Sequence, residues 1–128
     1  MKKVCVTFVL GCVVAALCVS QASALPPFNK EWTAKYVEGN SNAAFVESVN
    51  SVKCNVCHVG KSKKDKNEYG VAVGKFLTKK GFEEVKSNEE AAKKYVLEGL
   101  EKAEAEKSSG GKTFGELIKA GQLPGGAE

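Results

Sequence analysis

The chain contains no arginine: all 19 of its basic residues are lysines, set against 15 acidic ones for a net charge of +4. Proteins that read bases or clamp phosphates lean on arginine's planar fork. Its absence, with so small a positive excess, argues against nucleic-acid recognition. Histidine occurs once, as His58, and methionine once, as Met1, so no site within one chain can use two imidazoles. Alternating strand patterns are scarce and no internal repeat is present. At 128 residues the chain makes one small domain at most, too short for a multidomain enzyme. With 43% hydrophobic and 27% charged residues, the composition is that of a folded globular protein.

The first 24 residues read as a cleaved secretory signal. Lys2 and Lys3 precede an apolar run from Val4 to Val19, and Ala22-Ser23-Ala24 supplies the small-x-small cleavage site. The run holds 16 residues, short of the roughly 20 that a spanning helix needs, so no membrane span is expected after cleavage. Residues 25–128 are then a single exported, periplasmic or secreted, domain. Cys5, Cys12 and Cys18 leave with the signal, and Cys54 and Cys57 are the two that remain. Loss of Lys2 and Lys3 lowers the net charge to +2.

What remains is patterned as helices between glycine- and lysine-rich loops, so the fold class is all-α. Phe28, Trp32 and Tyr36 recur every four residues and share one helical face, with Asn29 as cap and Gly39 as stop. A second helix from about Ser41 turns Phe45, Val46, Val49 and Val52 inward and runs into Cys54. Asn67 caps a third segment carrying Val71, Val73, Phe76 and Leu77, which Gly81 and Phe82 close. Ser87 with Glu90 forms a capping box for the longest helix, 88–107, and Thr113 with Glu116 forms another for a last short one.

The chemistry is concentrated in Cys54-Asn55-Val56-Cys57-His58. Two cysteines three positions apart present neighbouring sulfurs that can bond the two vinyl groups along one porphyrin edge, and the next residue supplies an imidazole to the iron. Three rivals are weaker. A zinc site needs four ligands, and the mature chain has two cysteines and one histidine. A thioredoxin-type dithiol belongs to a βαβ unit, whereas helix is expected on both sides here. A disulfide closing so small a loop would stabilise little.

On these five residues, placed after an amphipathic helix in the first half of the mature chain, the sequence resembles the small exported monohaem c-type cytochromes of class I-like helical fold. The resemblance implies a helical domain wrapped around one covalent haem c, with Cys54 and Cys57 as thioether attachment sites and His58 as the proximal iron ligand. The four-helix-bundle cytochromes carry the same motif near the C-terminus, which does not match. The chain departs from the class I pattern in lacking a methionine for the far side of the iron. That position is left open, or falls to water, a lysine amine, the Tyr69 hydroxyl, an asparagine, the freed Leu25 amine or a partner's side chain.

By that resemblance the expected function is electron carriage by a monomer that is not an enzyme. The alternative is an open-site haem protein that binds or senses a small gas such as CO or NO. A peroxidase would want a distal histidine or arginine, and neither is available. Lys61, Lys63, Lys64 and Lys66 follow the motif and are expected to rim the haem crevice. They read either as a docking patch for an acidic redox partner protein or as a solvated loop balancing Asp65, Glu68 and the haem propionates.

Overall fold

The computed structural model describes residues 26–126. The secretory-signal reading, its three cysteines and the Leu25 amine fall outside this range. Six α-helices carry the fold: α1 (Pro26–Tyr36), α2 (Ala43–Val52), α3 (Glu68–Phe76), α4 (Lys79–Val85), α5 (Glu89–Ala105) and α6 (Phe114–Lys119). A 3-10 turn, Lys53–Val56, continues α2, and the two-residue strands β1 (His58–Val59) and β2 (Asp65–Lys66) pair antiparallel. The all-α expectation holds, since β1 and β2 merely close the lysine loop between them. No helix among the described residues is long and apolar enough to cross a membrane.

Helix α5 is the hub, with α1, α3, α4 and α6 all packed on it. It presents Val96, Leu100 and Ala103 to the core, together with Gly99, where an added Cβ would lie 2.2 Å from Leu77 Cδ2. That close approach seats Leu77 directly on the α5 backbone. Around the hub, Trp32 and Tyr36 from α1, Phe45 and Val49 from α2, Tyr69 and Ala72 from α3, Phe82 from α4 and Phe114 and Ile118 from α6 complete one core. Phe28 meets the Phe82 ring edge-on at 5.4 Å between centroids.

Caps fix the ends. Asn42, Asn67, Thr78, Asn88 and Thr113 each accept from a backbone N–H in the first turn that follows. The Thr113 and Glu116 capping box is formed, and those bonds hold the Glu116 carboxyl below its ordinary range. Other expectations need correction. Helix α1 begins at Pro26, so Asn29 lies within it rather than capping it. The cap of α5 is Asn88, displacing the expected box of Ser87 and Glu90. Gly81 stops no helix; it lies inside α4, where a Cβ would meet the Tyr95 hydroxyl at 2.3 Å. Val71, expected inside, is 52% exposed, while Tyr69 is fully buried.

Candidate functional site

The pentapeptide sits where α2 gives way to the 3-10 turn. Lys53 makes the change of direction with φ 51° and ψ −117°, a sparsely populated backbone region that costs a residue with a side chain about 1–3 kcal/mol. Cys54 follows inside the turn and Cys57 just after it, both as free, half-buried thiols. His58 opens β1 and is buried.

Helix α3 clamps this segment from the other side. Asn67 Nδ2 donates to the carbonyls of Asn55, at 3.1 Å, and Val56, at 3.0 Å, while its Oδ1 accepts from Gly70 N at 2.9 Å. The Asn67 backbone N–H donates to Cys57 O at 3.1 Å. One asparagine therefore caps α3 and holds three consecutive carbonyls of the motif. Gly70, one turn further on, lies so close that a Cβ would fall 1.9 Å from Cys57 O. The C-terminal segment closes over the clamp, with Pro124 buried and Gly125 positioned so that a Cβ would stand 2.0 Å from Asn67 Nδ2. Asn67 was legible as a cap; its grip on the motif was not.

Both thiols and His58 line a partly open cavity of about 400 Å³. Its walls are mainly apolar, including Trp32, Val49, Val73, Leu77 and Leu100, and Gly70 and Gly74 leave one stretch without side chains. Three lysines, Lys53, Lys66 and Lys79, reach it, and no carboxylate does. None of the three makes an ion pair among the described residues. Of the four lysines expected at the rim, Lys66 alone lines the cavity, while Lys61, Lys63 and Lys64 stand exposed on the loop.

The His58 ring is oriented through one nitrogen. Nδ1 lies 3.2 Å from Asp65 O across the β1–β2 pair, which sets Nδ1 as donor and Nε2 as the free lone pair. Metal-bound histidines are commonly held by this kind of outer hydrogen bond. The Cys57 thiol is pushed up to about 12, first by burial and then by neighbouring Cys54, with Lys66 opposing. A thioredoxin-type dithiol sits in a βαβ unit, whereas here the two cysteines lie between α2 and a two-stranded antiparallel pair. No three His, Cys, Asp or Glu side chains among the described residues form a cluster.

The structure also places the residues that the haem resemblance offered as a distal ligand. Tyr69 does not line the cavity; its hydroxyl accepts from Trp32 Nε1 at 2.8 Å in the core. Asn29 and Asn50 do line it, with the three lysines named above. No family model, curated protein or solved structure matches the chain.

Proposed function

We propose that this chain is a c-type haem protein that carries single electrons, with Cys54 and Cys57 as the covalent attachment points and His58 as the proximal ligand. The observation that carries the reading is that Cys54, Cys57 and His58 line one mainly apolar cavity, with the His58 ring held through Nδ1. The donor set fits a flat apolar ring bearing carboxylates. Apolar walls would shield such a ring from water, and Lys53, Lys66 and Lys79 would offer charge to its carboxylates. When bound, the haem supplies reversible one-electron exchange at iron. Asp65 O keeps the His58 Nδ1 proton in place and Nε2 free to ligate. Asn67 and Gly70 hold the peptide carrying both sulfurs against α3.

Mass spectrometry of the exported protein is the direct test. The expected product starts at Leu25 and carries the mass of one haem, which survives acidic organic extraction. The Cys54→Ser/Cys57→Ser double variant is expected to lose all extraction-resistant haem. An unmodified mass for the exported chain, or haem retained covalently by the double variant, would refute the proposal.

The distal side separates electron carriage from gas binding, the second reading left open by a mature chain without methionine or a second histidine. If Lys53, Lys66 or Lys79 ligates, its amine must be unprotonated. Its hold then weakens as pH falls, and CO uptake by the reduced protein starts slow and quickens with acid. An open site instead takes up CO rapidly at every pH. Stopped-flow mixing from about pH 9 to about pH 5 is expected to show the acid-quickened course. Fast, pH-independent uptake would favour the gas-binding function.

A further inference from the structure

Helix α3 carries two glycines one turn apart, Gly70 and Gly74, and the side chain of Lys66 lies along the groove they leave. A Cβ added at Gly70 would stand 3.2 Å from Lys66 Cβ, and one added at Gly74 would stand 2.9 Å from Lys66 Nζ and 4.0 Å from its Cε. The stem is thus seated on α3 from end to end, and the residue lines the cavity. In the β1–β2 pair Lys66 stands directly opposite His58, and residues so paired project from the same face. Alternation along the strand sends the Asp65 carboxylate to the other face, while the Asp65 carbonyl holds the imidazole. A cation and the imidazole therefore enter the cavity side by side.

We propose that Lys66 sets the reduction potential of the centre that His58 ligates, by fixing one positive charge on the imidazole's side of the cavity. The inference rests on reading the cavity as a haem site. Ferric iron carries one more positive charge than ferrous iron, so a neighbouring ammonium disfavours the oxidised state and raises the potential. Mainly apolar walls screen that repulsion less than water does.

The surroundings support the assignment. No ion pair among the described residues neutralises Lys66. Its charge already acts on the motif, because it opposes the rise that burial imposes on the Cys57 thiol. Pairing with a haem carboxylate would keep the sign, since loss of the lysine would then free a negative charge to favour the ferric state. Lys66 is a positioned charge and not the sixth ligand: it approaches beside His58, whereas a sixth ligand comes from the opposite side of the iron. Of the three cavity lysines, Lys53 and Lys79 are left for that place.

The test is a spectroelectrochemical titration of the haem-bearing exported protein at low ionic strength, where partly exposed charges are least screened. Lys66→Gln is expected to move the ferric-to-ferrous ratio at fixed potential about tenfold toward ferric, a fall in midpoint of about 59 mV. The Lys66 side chain is exposed on its outer side and unpaired among the described residues, so the variant is expected to fold. Lys66→Arg keeps the charge and is expected to keep the parent's midpoint. Lys64→Gln removes the same charge from the solvent-exposed loop and is expected to move the midpoint less. Equal falls in Lys66→Gln and Lys64→Gln would reduce the effect to net charge and overturn the proposal. So would a low-spin ferric spectrum turning high-spin in Lys66→Gln, which would make Lys66 a ligand. The underlying reading fails separately: a mass spectrum without haem removes both, whereas a haem-bearing chain whose midpoint ignores Lys66→Gln removes this inference alone.

Discussion

Gly70→Ala is expected to cost at least about 3 kcal/mol of folding stability, the upper end of ordinary overpacking, although alanine is the better helix former. Two effects compete. Gly70 lies inside α3, so alanine brings about 1 kcal/mol of helix propensity. Against this, its Cβ would stand 1.9 Å from Cys57 O and 2.9 Å from Cys57 C. Both are backbone atoms, which cannot swing aside as a side-chain tip can. The collision wins, and relief requires α3 and the pentapeptide to part, which strains the Asn67 bonds to Asn55 O and Val56 O. Gly110→Ala provides the comparison, since the nearest atom to its Cβ is Ser108 Oγ at an ordinary 3.7 Å. Urea unfolding should place Gly110→Ala within about 0.5 kcal/mol of the parent. Equal midpoints for the two variants would refute the steric argument, and Gly70→Ala should also lower the yield of covalently attached haem.

The same glycine shows where a sequence stops being informative. Helices α2, α3 and α6 were legible because their caps are local: Asn42 lies one residue from the expected start, while Asn67 and the Thr113 and Glu116 box match outright. For α5 the adjacent pair Ser87-Asn88 offers two residues of nearly equal capping preference, and local sequence cannot choose between them. Helix α4 was missed because glycine followed by phenylalanine resembles a helix stop. The reason for Gly81 is instead the distant Tyr95 hydroxyl, which no local pattern contains. The inward face of α3 was misread by starting from Val71. Tyr69, Ala72, Val73 and Phe76 follow the helical spacing, with Tyr69, one of the possible distal ligands, as the most deeply buried of them.

The site divides in the same way. Cys54, Cys57 and His58 announce themselves by residue type and spacing, and the structure brings all three to one cavity. Their supports do not announce themselves. The groups that hold His58 and the motif are largely backbone carbonyls, of Asp65, Asn55, Val56 and Cys57, and every residue has one. The lysine loop followed composition closely but position poorly, because the β1–β2 pair turns Lys66 toward the cavity and leaves Lys61, Lys63 and Lys64 in solvent.

Asn67→Asp is expected to destabilise the fold by about 3 kcal/mol near neutral pH, even though aspartate caps helices as well as asparagine does. The new carboxylate can still accept from Gly70 N, and a negative charge at the start of α3 contributes roughly 0.3–1 kcal/mol in its favour. Its second oxygen, however, replaces the Nδ2 donor that now serves Asn55 O and Val56 O. Two carbonyls lose their partner and face a like-signed atom, at about 1–3 kcal/mol for each unsatisfied group, so the loss exceeds the gain. The sign with pH follows from the neutral form, whose O–H can donate to one of those carbonyls. Folding therefore raises the carboxyl's pKa above its unfolded value. The charge-dependent part of the penalty is full above the folded pKa, shrinks as pH falls through it and is gone below the ordinary carboxylate range, leaving the cost of the carbonyl that a single O–H does not serve. Asn67→Ser separates this from loss of the clamp alone, because its hydroxyl caps α3 but neither reaches both carbonyls nor titrates. Denaturation midpoints across the acid range should show the Asn67→Asp deficit narrowing relative to the parent while the Asn67→Ser deficit stays level. A deficit in Asn67→Asp that is flat with pH would mean that the side chain has rotated into solvent and that the clamp on the cysteine segment is not what holds it against α3.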